Sequence, residues 1–247
     1  MIEFFKTIIY EPLYNLLMVI IELIPGGDVG VAVVVITLLV RFLLFPLSKK
    51  SIITQRRIKE HQDELNQLKE QYKDDQHQMA QKMMEFYREK EIKPFSSFLL
   101  ILIQIPIIIS LFFIFRETNL PEIQYDLLYD FIQEPSQTSM IFLGLVDISA
   151  RSMGLAILAG AASFIHMQLS MPTPKKVENP GFKDDFARSM NMQMKYVFPI
   201  IIAGVAYSLS AVVALYLLTS NLFTLGQEIF VKRRLKDADS KSSNSKS

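Results

Sequence analysis

The chain has 247 residues, half of them apolar, and its formal net charge is only +1. A soluble domain of this length would be less apolar, so the composition argues against an ordinary water-soluble protein and favours a membrane protein. The small net charge gives no indication of nucleic-acid binding. The absence of cysteine excludes disulfides, thiolate nucleophiles and cysteine-ligated metals.

The amino-terminal segment, residues 1–27, is predicted to be an extracytoplasmic amphipathic helix followed by a Pro-Gly-Gly turn. The polar residues that recur along one face are Glu3, Thr7, Glu11, Asn15 and Glu22. Because large apolar side chains cover the opposite face, we expect the helix to lie in the membrane interface, with a transmembrane placement as the alternative. The acidic residues also interrupt the pattern of a cleavable signal peptide, so none is expected.

Five later stretches are apolar enough to be membrane spans, and a full span takes about 20 residues. The predicted spans are residues 28–48, 94–115, 152–170, 194–207 and 208–230. A tight turn near Tyr207-Ser208 separates the last two, and one of them is expected not to cross at full thickness.

Positive charge predicts the orientation, because Lys and Arg beside a span stay in the cytoplasm. Residues 49–93 carry eleven Lys and Arg, the connection 171–193 is also basic, and the tail from residue 230 carries six. The loop 116–151 carries only two, beside six Asp and Glu. Five spans with this alternation place the amino terminus outside the cell and the carboxyl terminus in the cytoplasm.

Residues 49–93 are too polar for the membrane and are predicted to form a cytoplasmic antiparallel helical hairpin. One apolar stripe at helical spacing is Ile58, Leu65, Leu68 and Tyr72; the other is Met79, Met83, Phe86 and Tyr87. Each stripe is too narrow to stand alone, so packing against each other is favoured over two independent surface helices. The basic tail, residues 231–247, is predicted to be largely disordered from its polar composition.

The chain offers no motif for catalysis. It has no Gly-rich phosphate loop, no His-Glu-x-x-His and no paired intramembrane carboxylates. Serines within the spans are better explained by helix packing than by an intramembrane protease, for which His166 is the only candidate partner. We therefore expect neither an enzyme, nor a metal site, nor a cofactor.

Arg41 is the most informative residue. It lies about seven residues from the cytoplasmic end of the first span, roughly 10 Å deep at 1.5 Å per residue, and a mid-membrane arginine costs about 2.5–3.5 kcal/mol. Snorkelling to the headgroups is the alternative. Against it, Thr37 extends the polarity one turn deeper, and no acidic residue occurs in the span cores.

Other spans place polar side chains at a comparable depth. These residues are Gln104, His166, Gln168, Tyr216 and Ser220. Because an unpaired cation is best tolerated beside water, we predict that they and Arg41 surround a hydrated groove open to the cytoplasm. Such a groove would suit an anionic or polar ligand.

Several segments also carry a family resemblance in the right order. They are Val40–Leu47 (VRFLLFPL), Leu68–Asp75 (LKEQYKDD), Met83–Tyr87 (MMEFY), Gln104–Ile107 (QIPI), and Leu215–Phe223 (LYLLTSNLF) followed by Gly226-Gln227. With these motifs the chain resembles the YidC-type membrane protein insertases, which include the mitochondrial oxidase-assembly and chloroplast Albino proteins. The resemblance runs from about residue 8 to residue 234.

The resemblance implies a bacterial inner-membrane insertase and chaperone that accepts hydrophobic segments of new membrane proteins in its groove. Arg41 would attract acidic residues of the client, and Gln104 would line the groove. The resemblance implies that the partners are nascent clients, the lipid bilayer, the ribosome, which the basic tail would bind, and the Sec translocon. It implies no nucleotide. A small-anion transporter or channel and a purely structural scaffold are the alternatives.

Overall fold

The computed structural model describes residues 6–93, 95–117, 123–170 and 189–244, most of them helical. The helices are α1 (Glu11–Leu23), α2 (Val29–Leu43), α3 (Phe45–Glu60), α4 (Gln62–Gln71), α5 (Gln76–Glu89), α6 (Phe95–Glu117), α7 (Met153–Ser170), α8 (Phe198–Ser208) and α9 (Ala211–Asn244). One antiparallel hairpin pairs β1 (Ile141–Phe142) with β2 (Val146–Asp147). Single π-helical turns at Lys6–Tyr10 and Gln193–Val197 precede α1 and α8, and Tyr125–Leu127 forms a 3₁₀ turn.

The helices include clear membrane-span candidates. Among the described residues, Met153–Ser170 and Ala211–Asp237 are long and apolar enough to cross a membrane. If Val29–Leu43 and Phe45–Glu60 are taken as one broken span, the described residues contain three span candidates. The segment Leu102–Phe115 is also apolar but is shorter than a full span. The all-helical membrane class is therefore confirmed, while the five-span bundle stays a prediction.

The chain divides into two compact units. The first comprises Met1–Leu43 and Gln104–Leu225, and the second comprises Leu44–Ile103 and Gly226–Ser247. The predicted cytoplasmic connection 171–193 lies outside the described residues as far as residue 188.

The core of the first unit includes the packing of α1 against α2. Tyr14, Leu17 and Ile21 of α1 are fully buried, as is Val33 of α2. Asn15, expected on a solvated polar face, is buried as well: its amide donates to the Leu127 carbonyl at 2.7 Å, and its Oδ1 accepts from the Tyr129 N–H at 2.8 Å. The polar stripe of α1 is thus partly covered by the loop that follows α6.

Helices α7 and α8 approach each other closely in the same unit. A Cβ placed on Gly160 would lie only 2.7 Å from the Cβ of Ala203 and 3.3 Å from the Pro199 carbonyl oxygen. Small residues at such a contact allow two membrane helices to pack backbone against backbone.

The first predicted span, residues 28–48, contains a break between two helices. The apolar pattern predicts a helix to residue 48, whereas α2 ends at Leu43 and α3 begins at Phe45. Pro46 explains the break, because its ring would clash with a carbonyl of the preceding turn in a continuous helix. At the start of α3 the same residue is tolerated, since the first helical N–H groups have no intrahelical partner.

The second unit contains the polar region that follows Pro46. Leu65 of α4 and Phe86 of α5 are buried together with Ile92. The partly buried side chains around them are Ile58, Leu68, Met83 and Tyr87. Asp75 caps α5 by accepting from the Gln78 N–H at 2.9 Å, which ends the turn between the two helices.

The carboxyl-terminal segment also differs from its prediction. Composition predicts a largely disordered tail from residue 231, but α9 continues to Asn244. Extending an existing helix avoids the cost of nucleation. The Lys232 ammonium also lies 2.5 Å from the Glu228 carboxylate one turn earlier, which supports the extension.

Candidate functional site

Arg41 lies in the last turn of α2, and its side chain is held by α9. Its Nε donates to the Ser220 hydroxyl at 2.9 Å, and Nη2 contacts the same oxygen. Ser220 is only 3% exposed. Next to this contact, the Phe42 and Phe223 rings meet edge to face at 4.9 Å. The cation is therefore bound between two helices beside an aromatic pair.

A second polar contact joins α6 to α9. The Gln104 amide donates to the Tyr216 hydroxyl, and Tyr216 is only 4% exposed. Pro106 lies inside α6 two residues further on. Because proline has no N–H, it leaves a carbonyl of the preceding turn without its usual helical donor and makes this part of α6 more polar than its sequence suggests.

The two contacts meet on α9. Tyr216 and Ser220 are four residues apart and so lie on one face of that helix, one turn from each other. We call these four residues, Arg41, Gln104, Tyr216 and Ser220, the Arg41 network. It draws side chains from three apolar helices to one place.

The guanidinium has more donors than this network satisfies. It presents five N–H groups, and Ser220 offers one oxygen. Among the residues that the structure describes, none of the ion pairs includes Arg41. The arrangement can therefore accept a further oxygen ligand, from water or from a carboxylate.

Thr37 lies one turn from Arg41 on α2, as predicted from the spacing, but its hydroxyl is already used. It donates to the Val33 carbonyl of the same helix at 2.5 Å, and the side chain is buried. Thr37 thus contributes volume next to the network and no described contact to the network's side chains.

The two predicted residues of α7 lie outside the Arg41 network. His166 and Gln168 are half-buried near the carboxyl end of that helix, and neither takes part in the network's described hydrogen bonds. The polar contact from α9 to α7 is instead Asn221 Nδ2 to Ser163 Oγ at 2.6 Å. Sequence reasoning did not identify this pair as a site; its only signal is an amide directly after Ser220.

A metal centre has no counterpart in the described part of the chain. Within residues 6–93, 95–117, 123–170 and 189–244, no group of three or more His, Asp or Glu side chains is arranged to hold an ion. The polar groups of the Arg41 network are a cation, an amide and two hydroxyls, which suit the binding and orientation of a polar chain.

Comparison with known proteins shows that most of the chain matches one family of membrane proteins. The family model described as 60Kd inner membrane protein matches residues 20–239. A Clostridium tetani protein named Membrane protein insertase YidC is 32% identical over 209 residues, covering 85% of this chain and 84% of that protein. A Fusobacterium nucleatum protein of the same name is 29% identical over 208 residues, covering 84% and 88%.

A longer relative shows the same similarity over part of its length. The Histophilus somni protein of that name is 30% identical over 227 residues, which are 92% of this chain but 37% of that protein. Since these relatives are named as insertases, the alternative of a small-anion transporter or channel has no support.

Proposed function

Because this chain belongs to the 60Kd inner membrane protein family, we propose that it is a membrane protein insertase and chaperone of the bacterial inner membrane. It moves hydrophobic segments of new membrane proteins from the cytoplasm into the bilayer. The family resemblance predicted from the sequence motifs is confirmed by the matches over most of the chain.

The observation that carries this function is the cation that α9 holds among apolar helices. The Ser220 hydroxyl orients the Arg41 guanidinium, and the Gln104–Tyr216 contact extends the polarity to a third helix. A polar segment faces a large cost in hydrocarbon, because water no longer satisfies its backbone and side chains. Polar groups held at depth reduce this cost for part of the path.

The proposed mechanism is electrostatic and involves no bond making or breaking. A hydrated groove, open to the cytoplasm and walled by five spans, admits the client's translocated segment. Arg41 attracts acidic residues of that segment more strongly than it would in bulk water, because the local dielectric is lower. The membrane potential, negative inside, also favours outward movement of an acidic segment, by about 2.3 kcal/mol per charge per 100 mV. This direction corresponds to a protein whose amino terminus is outside.

Release is driven by the client itself. Once its polar segment has crossed, its apolar helix leaves the groove sideways, because transfer from a polar groove into lipid is favourable. No nucleotide takes part at this chain.

The polar region of the second unit is proposed to receive the client on the cytoplasmic side. Its two packed helices expose charged residues around the small core of Leu65 and Phe86. The basic end of α9, with Lys232, Arg233 and Arg234, suits the anionic surface of a ribosome. Cooperation with the Sec translocon belongs to the same proposal.

Site-specific photocrosslinking tests the proposed function. A photoreactive phenylalanine replaces Phe42, which adjoins Arg41 and is exposed, and the membranes are supplied with ribosomes stalled on a membrane-protein client. The same group at exposed Ile8, ahead of α1, is the control. We expect client adducts at Phe42 well above those at Ile8. Equal yields at the two positions would contradict the groove.

A further inference from the structure

The hairpin of the loop after α6 ends in an exposed apolar tip. Leu143 is 62% exposed and Leu145 is 84% exposed, with Gly144 between them. Leucines in tight turns are unusual, because such turns favour glycine, asparagine and aspartate. The exposure of two leucines in one turn does not stabilise the fold and needs another explanation.

The backbone at the tip makes the choice of leucine more costly. Leu143 has a φ of +52° and Gly144 a φ of +73°. A leucine in the left-handed region is strained by its Cβ, whereas glycine or asparagine would be tolerated there. Both conformation and solvation therefore argue against leucine at position 143, and retained strain of this kind points to a function.

The tip is also held rigidly to the start of α2. The Leu143 N–H donates to Asp28 Oδ2 at 2.7 Å, while Oδ1 of the same carboxylate accepts from the Val31 N–H at 3.0 Å. Asp28 thus caps α2 and fastens the tip with its two oxygens. Ser139 adds two backbone bonds, donating to the Gly27 carbonyl at 2.8 Å and accepting from the Val29 N–H at 3.0 Å.

Two glycines permit this close approach. A Cβ on Gly27 would lie 2.0 Å from the Gln137 carbonyl oxygen, and a Cβ on Gly30 would lie 2.4 Å from the Phe142 ring. Neither position has room for a larger residue unless the loop moves. The hairpin and the first turn of α2 therefore form one rigid piece.

From this geometry we propose that Leu143 and Leu145 insert into the bilayer leaflet in which α2 begins, at the boundary between headgroups and acyl chains. The apolar helix α2 starts at Val29, so the hydrocarbon begins near Asp28. Leu143 is bonded to Asp28 and lies at that level. The proposal depends on the membrane location of the chain and is independent of insertase activity.

The surroundings favour lipid over a protein partner. Leu23, at the end of α1 and just before the turn that leads to Asp28, is 76% exposed and extends the apolar surface along the same boundary. Two exposed residues at the end of β2 are polar instead: the Ser149 hydroxyl donates to the Asp147 carboxylate at 2.5 Å. An apolar tip at the hydrocarbon boundary with a polar base is the pattern of an interfacial anchor.

The anchor sets the height of α2 in the membrane. Arg41 follows Asp28 by thirteen residues along a helix, or about 20 Å at 1.5 Å per residue. Holding the first turn of α2 at the interface therefore holds the guanidinium of Arg41 at a constant depth.

Electron paramagnetic resonance tests the anchor directly, because the chain contains no natural cysteine. The variants Leu145→Cys and Ser149→Cys carry the same nitroxide label in vesicles of phosphatidylethanolamine and phosphatidylglycerol. We expect the label at 145 to collide more with dissolved oxygen and the label at 149 more with a water-soluble nickel complex. Because Leu145 is 84% exposed, we expect the Leu145→Cys change to leave folding intact.

Either of two results overturns the proposal. Equal aqueous exposure of both labels in vesicles shows that the tip stays in water. A label at 145 that is aqueous in pure lipid, and shielded only after membrane proteins are added, shows that the tip binds a protein instead.

Discussion

The guanidinium of Arg41 and the hydroxyl of Ser220 form a hydrogen bond of 2.9 Å between residues 179 positions apart in the chain. The bond crosses from the last turn of α2 to a buried side chain of α9. The Arg41 side chain is therefore hydrogen-bonded to the neighbouring helix, whereas a snorkelling arginine would bind lipid headgroups. The contact therefore favours a binding role for the cation over mere tolerance.

Replacing Ser220 with alanine removes this acceptor. A buried hydrogen bond that leaves a charged donor unsatisfied costs about 1–3 kcal/mol, so we expect Ser220→Ala to lower the melting temperature in detergent by several degrees. Ser208→Ala is the matched control, because its exposed hydroxyl donates to the Gly204 carbonyl of its own helix at 2.8 Å. Equal losses in the two variants would show that Ser220 does not support the cation.

Tyr216→Phe tests the second contact of the Arg41 network. The variant keeps the ring and deletes the hydroxyl that accepts from Gln104. In a double-mutant cycle with Gln104→Leu, we expect a coupling energy of about 0.5–1.5 kcal/mol from thermal or chemical unfolding. Tyr207→Phe, on exposed Tyr207 of α8, is the control. Full additivity of Tyr216→Phe and Gln104→Leu would contradict the contact.

The four members of the Arg41 network could be identified from the sequence. Polar residues within apolar spans are expensive, so few occur, and those that do tend to face each other or a cavity. Arg41, Gln104, Tyr216 and Ser220 each interrupt an apolar stretch. Their pairing could not be predicted in detail, because it depends on helix rotations that no local pattern specifies.

Other features had no usable sequence signal. The strands of the hairpin are two residues long, too short for an alternating pattern. Asn15 fits a solvated helix face by spacing, and only a loop 112 positions away shows that it is buried. Thr37 shares a face with Arg41, but a hydroxyl can bond its own helix, and spacing cannot exclude that.

The close contact of α7 with α8 gives a matched pair of glycine substitutions. Gly160→Ala would bring a methyl group to 2.7 Å from Ala203, so we expect a loss of stability of about 1–3 kcal/mol from overpacking. Gly204→Ala lies on α8 with nothing within 4 Å of the added methyl. That variant should be neutral or slightly stabilising, since alanine is the better helix former.

Thermal unfolding of the two alanine variants in the same detergent distinguishes these effects. A loss at Gly204 as large as that at Gly160 would mean that helix propensity, not contact, decides the outcome.

The polar region of the second unit should lose stability in acid. The hydrogen bond from Lys90, with a second from His61, holds the pKa of the Glu64 carboxyl below its ordinary value of 4.5. A carboxyl with a lowered folded pKa contributes stability above its unfolded pKa, and that contribution is lost as the pH falls through the folded value. Hydrogen exchange of peptides from α4 and α5, corrected for intrinsic rates, should therefore speed up below about pH 4.5.

Glu64→Gln should remove most of this acid sensitivity and lower protection at neutral pH. Glu70→Gln, which breaks the exposed pair with Lys73, is the control and should leave the acid response in place. An unchanged acid response in Glu64→Gln would assign it to other carboxyls.

The most direct test of the central claim is insertion by Arg41 variants into vesicles, using paired clients that differ only in whether the translocated segment is acidic or neutral. We expect Arg41→Ala to reduce insertion of the acidic client about tenfold, which corresponds to about 1.4 kcal/mol, and to affect the neutral client little. Arg41→Lys, which keeps the charge, should insert both nearly as well as the native protein. Equal insertion of the acidic and neutral clients by Arg41→Ala would contradict an electrostatic role for Arg41.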